Sequence, residues 1–466
     1  AKNVHVLMNG PSMMLVLVGL SMLCASVSAE QTALTNPLNS AERDQLVEDF
    51  VDFARWMTES SDNAAGVKVP STDGQLDFTR MLSKRLPWPS VEVDELGCMH
   101  AVIPGPAGAP AIAMLAHVDT SPQFTGEGVE PIVHRQWDGQ PISLPNGNLT
   151  LDPAEMPGLQ RVAALKDTII TASGDTLLGA DDKSGVALLF AVARRLLRLS
   201  PEERGATVEL VFNTDEEIGL ISASKLEFVS DVIAGYTFDG EEFAQVDTET
   251  WHAEGCELHV QGVSVHPGYA KGNLVHAAAL AAHFVTEVHR GAENDTAIGV
   301  PASTAGREGF VHVLSVRGDV GSATVPLILR DFDAAGVAAR RAFVERALER
   351  VQAAAPSGAH FALTCSTTYK NMKSHLDEAP QVVNRAVEAV RRATGVQHVV
   401  QGAIRGGTDG SVLTLRGTPT PNIFAGWHEA HGPKEWTSVG EMAAAAETAL
   451  HLLALWGEHT DAREEL

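Results

Sequence analysis

Apolar residues recur in three different patterns along this chain, and each pattern predicts a different element. Over 42–57, Leu46, Phe50, Phe53 and Trp56 return near helical spacing, which predicts an amphipathic helix. A turn at 69–74 leads into a second helix over 78–86. Residues 91–102 read as strand. Residues 111–116 (AIAMLA) form a continuous run of small apolar side chains, as expected of a strand buried on both faces. Further strand-like runs stand at 168–172, 207–212 (TVELVF) and 234–238, and a helical pattern at 186–199 follows the first of them. Such alternation of strand and helix predicts an α/β domain built on a largely parallel sheet. Residues 123–165, rich in Pro, Gly and polar side chains, read as a long surface excursion.

Beyond Trp251 the pattern changes. Residues 256–265 alternate, 273–290 are an Ala-rich helix, and 310–316 and 323–332 are strands. A helix at 336–355 and a last strand at 359–369 complete a β-α-β-β-α-β order, that of a ferredoxin-like α+β unit. It is inserted in the α/β domain, which resumes near Asn371 with a helix at 382–393, a glycine turn at 405–410, a short strand at 421–425 and a closing helix at 439–456. The expected division is an N-terminal extension (1–40), a first catalytic part (41–250), the inserted unit (251–368) and a second catalytic part (369–466).

Composition narrows the chemistry. The 466 residues are 44% apolar and 20% charged, enough for two globular domains. A formal charge of −25 argues against nucleic acid or an anionic membrane surface as partner, and leaves peptides and cations. The four cysteines (Cys24, Cys98, Cys256, Cys365) lie far apart with no CxxC pair, which reads against a disulfide framework and against a cysteine-built zinc site. Any metal would then be held by histidine and carboxylate. The apolar run at 13–27 is shorter than the roughly 20 residues of a membrane span. It is followed by small residues ending at Ala29, in the manner of a signal-peptide cleavage site, although Lys2 is the only Lys or Arg ahead of it. Export through this segment (8–29) and burial as an N-terminal helix both stay open.

The loop Leu178-Gly179-Ala180-Asp181-Asp182-Lys183-Ser184-Gly185 sets two adjacent carboxylates between a strand and a helix. An Asp ahead of a helix commonly serves only as an N-cap. Acidic or histidine residues recur, however, at the ends of other strands or in the loops after them: His117 with Asp119, Glu216 with Glu217, Asp239, and His431. Ligands of open α/β sheets bind outside the carboxyl ends of the strands, so these groups can converge. Their chemistry suits two zinc ions. Asp181 with His117 and Asp239 would hold one, and Asp181 with Glu217 and His431 the other. Glu216 is left free as proton acceptor, and Asp119 suits the orientation of His117.

The segments AHVDTSP (116–122), LLGADDKSGVA (177–187), FNTDEEIG (212–219), YTFDG (236–240), VHPGYAKG (265–272), RDFD (330–333), RGGTDGSVL (405–413) and PNIFAGWHEAHG (421–432) resemble, in matching order, the peptidase T family of dinuclear zinc tripeptide aminopeptidases. The resemblance runs from about residue 42 to the C-terminus. It implies the same ligands, with Co2+ or Mn2+ as substitutes for Zn2+, Glu216 as base and Asp119 as the catalytic Asp beside the metals. It also implies small peptide substrates, a cytoplasmic setting, and an inserted unit that is a lid and forms a homodimer. In such a dimer His266, in Val265-His266-Pro267-Gly268, leans toward the other subunit's metals. Arg405, on its glycine turn, is the candidate for steadying a substrate carbonyl or carboxylate. Two places depart from the family pattern: His276 stands where relatives usually carry Asn, and Trp427-His428-Glu429-Ala430 precedes His431. A dipeptidase or carboxypeptidase-like amide hydrolase on the same site is the alternative activity.

Overall fold

The strand Ala111–His117 is buried along its whole length and parts two cores. Ile112, Met114 and Ala116 face the large core, while Ala113 and Leu115 face a smaller one with Val211 and Leu413. This explains the unbroken apolar run, since a strand covered on both faces has no polar side. The computed structural model describes residues 33–62, 67–87 and 90–458, so the signal-like run and Cys24 lie outside the described residues.

Around this strand lies an eight-stranded sheet. In spatial order it comprises Val91–Val93, Met99–Ile103, Thr207–Asn213, Ala111–His117, Val232–Gly240, Asn422–Phe424, Gln245–Glu249 and Val400–Ala403. Thr207–Asn213, Ala111–His117, Val232–Gly240 and Asn422–Phe424 run parallel to their neighbours in this stretch, so their carboxyl ends share one edge. Helices Ser40–Ala54, Ala180–Leu197 and Val439–Gly457 cover one face, burying Phe50, Phe53, Phe190 and Trp456. Full burial of such a side chain is worth about 1.5–3 kcal/mol.

The inserted unit is a separate sheet with its own core. Phe310–Val313, Ser322–Asp331, His252–Gln261 and His360–Tyr369 pair antiparallel in that order. Helices Ala277–Glu293 and Ala334–Ala354 pack on the face carrying Leu258, Val260, Val325 and Leu327. The expected β-α-β-β-α-β order is present, with a short extra strand, Arg317–Gly318.

Two expectations need correction. Cys256 and Cys365, 109 residues apart, stand directly opposite on adjacent antiparallel strands and form a disulfide, so distance along the chain was the wrong measure of their pairing. The stretch 123–165 is not a bare excursion. It supplies Ile132–His134 to a four-stranded sheet with Ile169–Thr171, Trp436–Ser438 and Trp427–His428, along with a small hairpin and the helix Pro157–Ala163. These strands are two or three residues long, too short for any periodicity to emerge.

Candidate metal centre

The carboxyl edge of the parallel strands delivers the acidic groups to one place. His117 closes its strand, Asp239 lies near the end of Val232–Gly240, and Glu216 and Glu217 follow Thr207–Asn213. Asp181 is presented by the turn into helix Ala180–Leu197 and has non-helical angles, φ −82° and ψ 105°. Gly179 enters that turn at φ +73°, a region glycine occupies without strain. Gly185 lies so close to the next strand that a Cβ would meet the Phe238 carbonyl oxygen at 2.4 Å and the Asp182 carboxylate at 2.5 Å.

One ligand atom each from His117, Asp181 and Asp239 lie within 4.8 Å of one another, as do those of Asp181, Glu217 and His431. Asp181 belongs to both groups and turns one oxygen to each. Its Oδ1 is 2.9 Å from His117 Nε2, and its Oδ2 is 3.3 Å from His431 Nε2. His117 Nε2 is also 3.5 Å from Asp239 Oδ1. Glu217 Oε1 is buried and lies 2.9 Å from His431 Nε2. Carboxylate oxygens and imidazole nitrogens gathered this closely are the donor set that zinc-class ions take. The residues therefore fit two metal ions sharing one carboxylate.

Charge crowding marks the same place. Burial and the neighbouring Asp181 push Glu217 up to about 7, and the same two causes push Asp239 up to about 6. Burial opposes the protonated form of His431, but Asp181 and Glu217 outweigh it and push the imidazole up to about 11. Glu216 is raised well above the usual carboxylate range by burial, with Asp239, Asp409 and Glu217 adding to it against His117.

The surrounding residues hold this arrangement. Asp119 Oδ1 accepts the Glu216 N–H at 3.0 Å and its Oδ2 the Glu217 N–H at 3.2 Å. The His117 ring is held by the backbone of Asp119 instead: Nδ1 is 3.1 Å from the Asp119 carbonyl oxygen and 3.5 Å from its carboxylate. Asp215, at φ +54°, accepts from Ser71 N, Ser71 Oγ and Gln75 Nε2 at 2.6–2.7 Å and so fixes the chain just ahead of Glu216. Asp182 accepts the His117 N–H at 3.3 Å.

Asp181, Glu216, Glu217, Asp239 and His431 line a cavity of about 520 Å³ that is also walled by Trp251, Phe310, Arg330 and Tyr369. Arg405 lines it too, but its guanidinium is engaged elsewhere. Nη1 donates to the Gly306 and Glu308 carbonyls at 2.8 and 2.9 Å and Nη2 to Thr304 Oγ1 at 3.1 Å, with the group stacked over Trp251. His266 lies outside the cavity and is exposed, its Nδ1 accepting from Gly268 N at 3.1 Å beside an exposed Tyr269. Of the two departures, His276 caps helix Ala277–Glu293, and Trp427 borders the cavity. Sequence reasoning passed over Glu435, Asp409 and Asn213. Of these, Asn213 and Asp409 lay in stretches already singled out, 212–219 and the glycine turn, and Glu435 did not.

An open, mostly parallel sheet with a carboxylate shared between two histidine–carboxylate groups defines a hydrolase of the paired-metal type. The chain belongs to peptidase family M20/M25/M40, which matches residues 177–455. It is 34% identical over 428 residues to a peptidase T of Bacillus licheniformis, covering 89% of this chain and 99% of that protein. It is 36% identical over 419 residues to a peptidase T of Streptococcus pneumoniae, covering 88% and 99%. Among solved structures, a tripeptidase from Staphylococcus aureus superposes with a TM-score of 0.64 at 18% identity, covering 90% of this chain and 99% of that one. An aminopeptidase from Bacillus cereus does so with 0.61 at 20%, covering 89% and 98%. Among the described residues no helix is long and apolar enough to cross a membrane.

Proposed function

We propose that the chain is a metal-dependent aminopeptidase that releases the N-terminal residue of tripeptides. The observation carrying this reading is the pair of ligand groups sharing Asp181, with Glu216 beside them in the same cavity. His117, Asp181 and Asp239 would hold one zinc ion, and Asp181, Glu217 and His431 the other, with Co2+ or Mn2+ able to substitute. Bound there, the ions supply Lewis acidity toward the scissile carbonyl and lower the pKa of water. Glu216 takes a proton from the attacking water and delivers it to the departing amine. Asp119 keeps Glu216 and Glu217 in register through their backbone N–H groups.

The inserted unit (251–368) acts in this reading as a lid and as the surface of a homodimer. Its exposed His266 and Tyr269 suit an interface, across which His266 of the partner subunit donates to the substrate carbonyl as negative charge develops. Arg405 contributes by steadying the lid loop over the substrate. The cytoplasmic setting rests on family resemblance. The Cys256–Cys365 disulfide favours the alternative, export, because such bonds persist in oxidising compartments.

A peptide panel with and without chelator tests the activity. Tripeptides are expected to be cut after the first residue, their acetylated forms ignored, and turnover lost with chelator and restored by Zn2+ or Co2+. Equal rates on acetylated tripeptides would point to the carboxypeptidase-like alternative. N-terminal sequencing of the native protein tests export, with Glu30 as the expected first residue.

A further inference from the structure

Glu435 lies four residues after His431, immediately before the strand Trp436–Ser438, and is 1% exposed. No ion pair reaches it among the described residues. Its carboxylate is used entirely on one loop: Oε2 accepts the N–H of Leu178 at 2.6 Å and of Gly179 at 2.8 Å, and Oε1 accepts the N–H of Asp181 at 3.0 Å. Three backbone donors within four residues converge on a side chain more than 250 positions away. A buried carboxylate is costly unless its oxygens are satisfied and cations stand near it. The three amides satisfy the oxygens. The buried Lys183, whose Nζ donates to the Trp56 carbonyl oxygen at 2.6 Å, is pushed down to about 7 by burial, so the backbone donors rather than a cation hold the group.

The loop so held is the one that must be placed most accurately. Asp181 directs one oxygen toward each group of ligands, so a small rotation about its backbone would bring one oxygen nearer at the expense of the other. Neither of its side-chain oxygens is free to brace it. Its backbone N–H, together with those of Leu178 and Gly179, is where bracing is applied. We infer that Glu435 is a positioning residue that fixes Leu178–Asp181 so that the Asp181 carboxylate serves both metal ions at once. The inference rests on the proposed sharing of Asp181.

The test uses purified full-length variants, with zinc affinity read by competition against a chelating indicator and kcat and KM measured on the same preparations. Asp181→Asn is the control for the shared-ligand reading and should lose zinc; if it binds zinc like the wild type, that reading fails on its own. In Glu435→Gln the amide nitrogen must face a backbone N–H, so one bond becomes a donor–donor clash. Its zinc affinity is expected to fall roughly 10–100-fold, as for other groups that orient ligands, with kcat lowered and KM little changed. Glu435→Asp keeps the charge and both acceptors and should recover part of the affinity. A folded Glu435→Gln protein with wild-type zinc affinity, alongside a zinc-deficient Asp181→Asn, overturns the inference. Should Glu435→Gln not fold, hydrogen exchange on metal-free wild-type protein decides. Protection of the Leu178, Gly179 and Asp181 amides supports bracing by Glu435, and rapid exchange overturns it.

Discussion

Asp119 spends its carboxylate on Glu216: the Glu216 N–H donates to it at 3.0 Å, while the neighbouring Glu217 N–H donates to its other oxygen. The proposed base and a proposed ligand are thus braced by one side chain. Glu216→Gln should keep both metal ions while kcat falls about 10²–10⁴-fold, since only the proton acceptor is lost. Asp119→Asn places an amide N–H against backbone donors and should lower kcat by roughly 10–100-fold. Steady-state kinetics with metal analysis of the same samples checks both. Near-wild-type kcat in Glu216→Gln removes it from its role.

If His266 acts across a dimer, inactive His266→Ala and inactive Glu216→Gln chains should complement. After subunit exchange one site of each mixed dimer holds both groups, so a fraction of the wild-type rate returns. Loss of a preorganised donor costs about 3–4 kcal/mol, so His266→Ala alone should be slowed several-hundred-fold. No recovery on mixing confines His266 to its own subunit's surface.

Away from the metals, His100 offers a pH-dependent contribution to stability. Burial disfavours its cation, but Asp94 and Glu209 more than compensate and raise it to about 9 from an ordinary 6.5. Its ring nitrogens lie 2.8 Å from Glu209 and 3.4 Å from Asp94. A raised folded-state value stabilises fully below about 6.5 and ceases to as pH climbs through about 9, a difference on the order of 3 kcal/mol. His100→Gln should therefore be markedly less stable than wild type at pH 6, and the gap should narrow by pH 9.5. Denaturant melts across that range measure it, and a gap independent of pH contradicts the assignment.

The Cys256–Cys365 bond closes a long loop within the inserted unit, and its removal should cost about 2–4 kcal/mol. Cys256→Ser/Cys365→Ser is expected to melt at lower temperature than the oxidised wild type and to be insensitive to reductant. Non-reduced peptide mapping should recover the crosslinked pair. Finding both thiols free in native protein contradicts the bond.

What was legible beforehand follows from how each feature is written in the chain. His117, Asp181, Glu216, Glu217, Asp239 and His431 announced themselves because side-chain chemistry recurred at strand ends, and the parallel sheet brings such ends together. The Cys256–Cys365 pair did not, because it depends on the register of two strands separated by 109 residues. Glu435 was invisible for another reason: its partners are backbone N–H groups, which leave no trace in residue identity. Arg405 is read from the sequence as steadying a substrate carbonyl or carboxylate, but a long side chain can point several ways, and the structure has its guanidinium engaged with the carbonyls of residues 306 and 308.

That engagement has a mirror image. Arg405 reaches from the main sheet's side to the loop 304–308, and Arg307 in that loop returns to Glu249 with two contacts of 2.7 Å. The two chain crossings are themselves tied, by Asn371 Nδ2 to Glu249 and Thr250 N to Asn371 Oδ1. None of these contacts involves a zinc-ligand candidate. The wall residue Arg405 and the ligand groups around Asp181 are thus held by different side chains, so a change in 304–308 that frees Arg405 is expected to alter the wall of the cavity and leave those ligand groups in place.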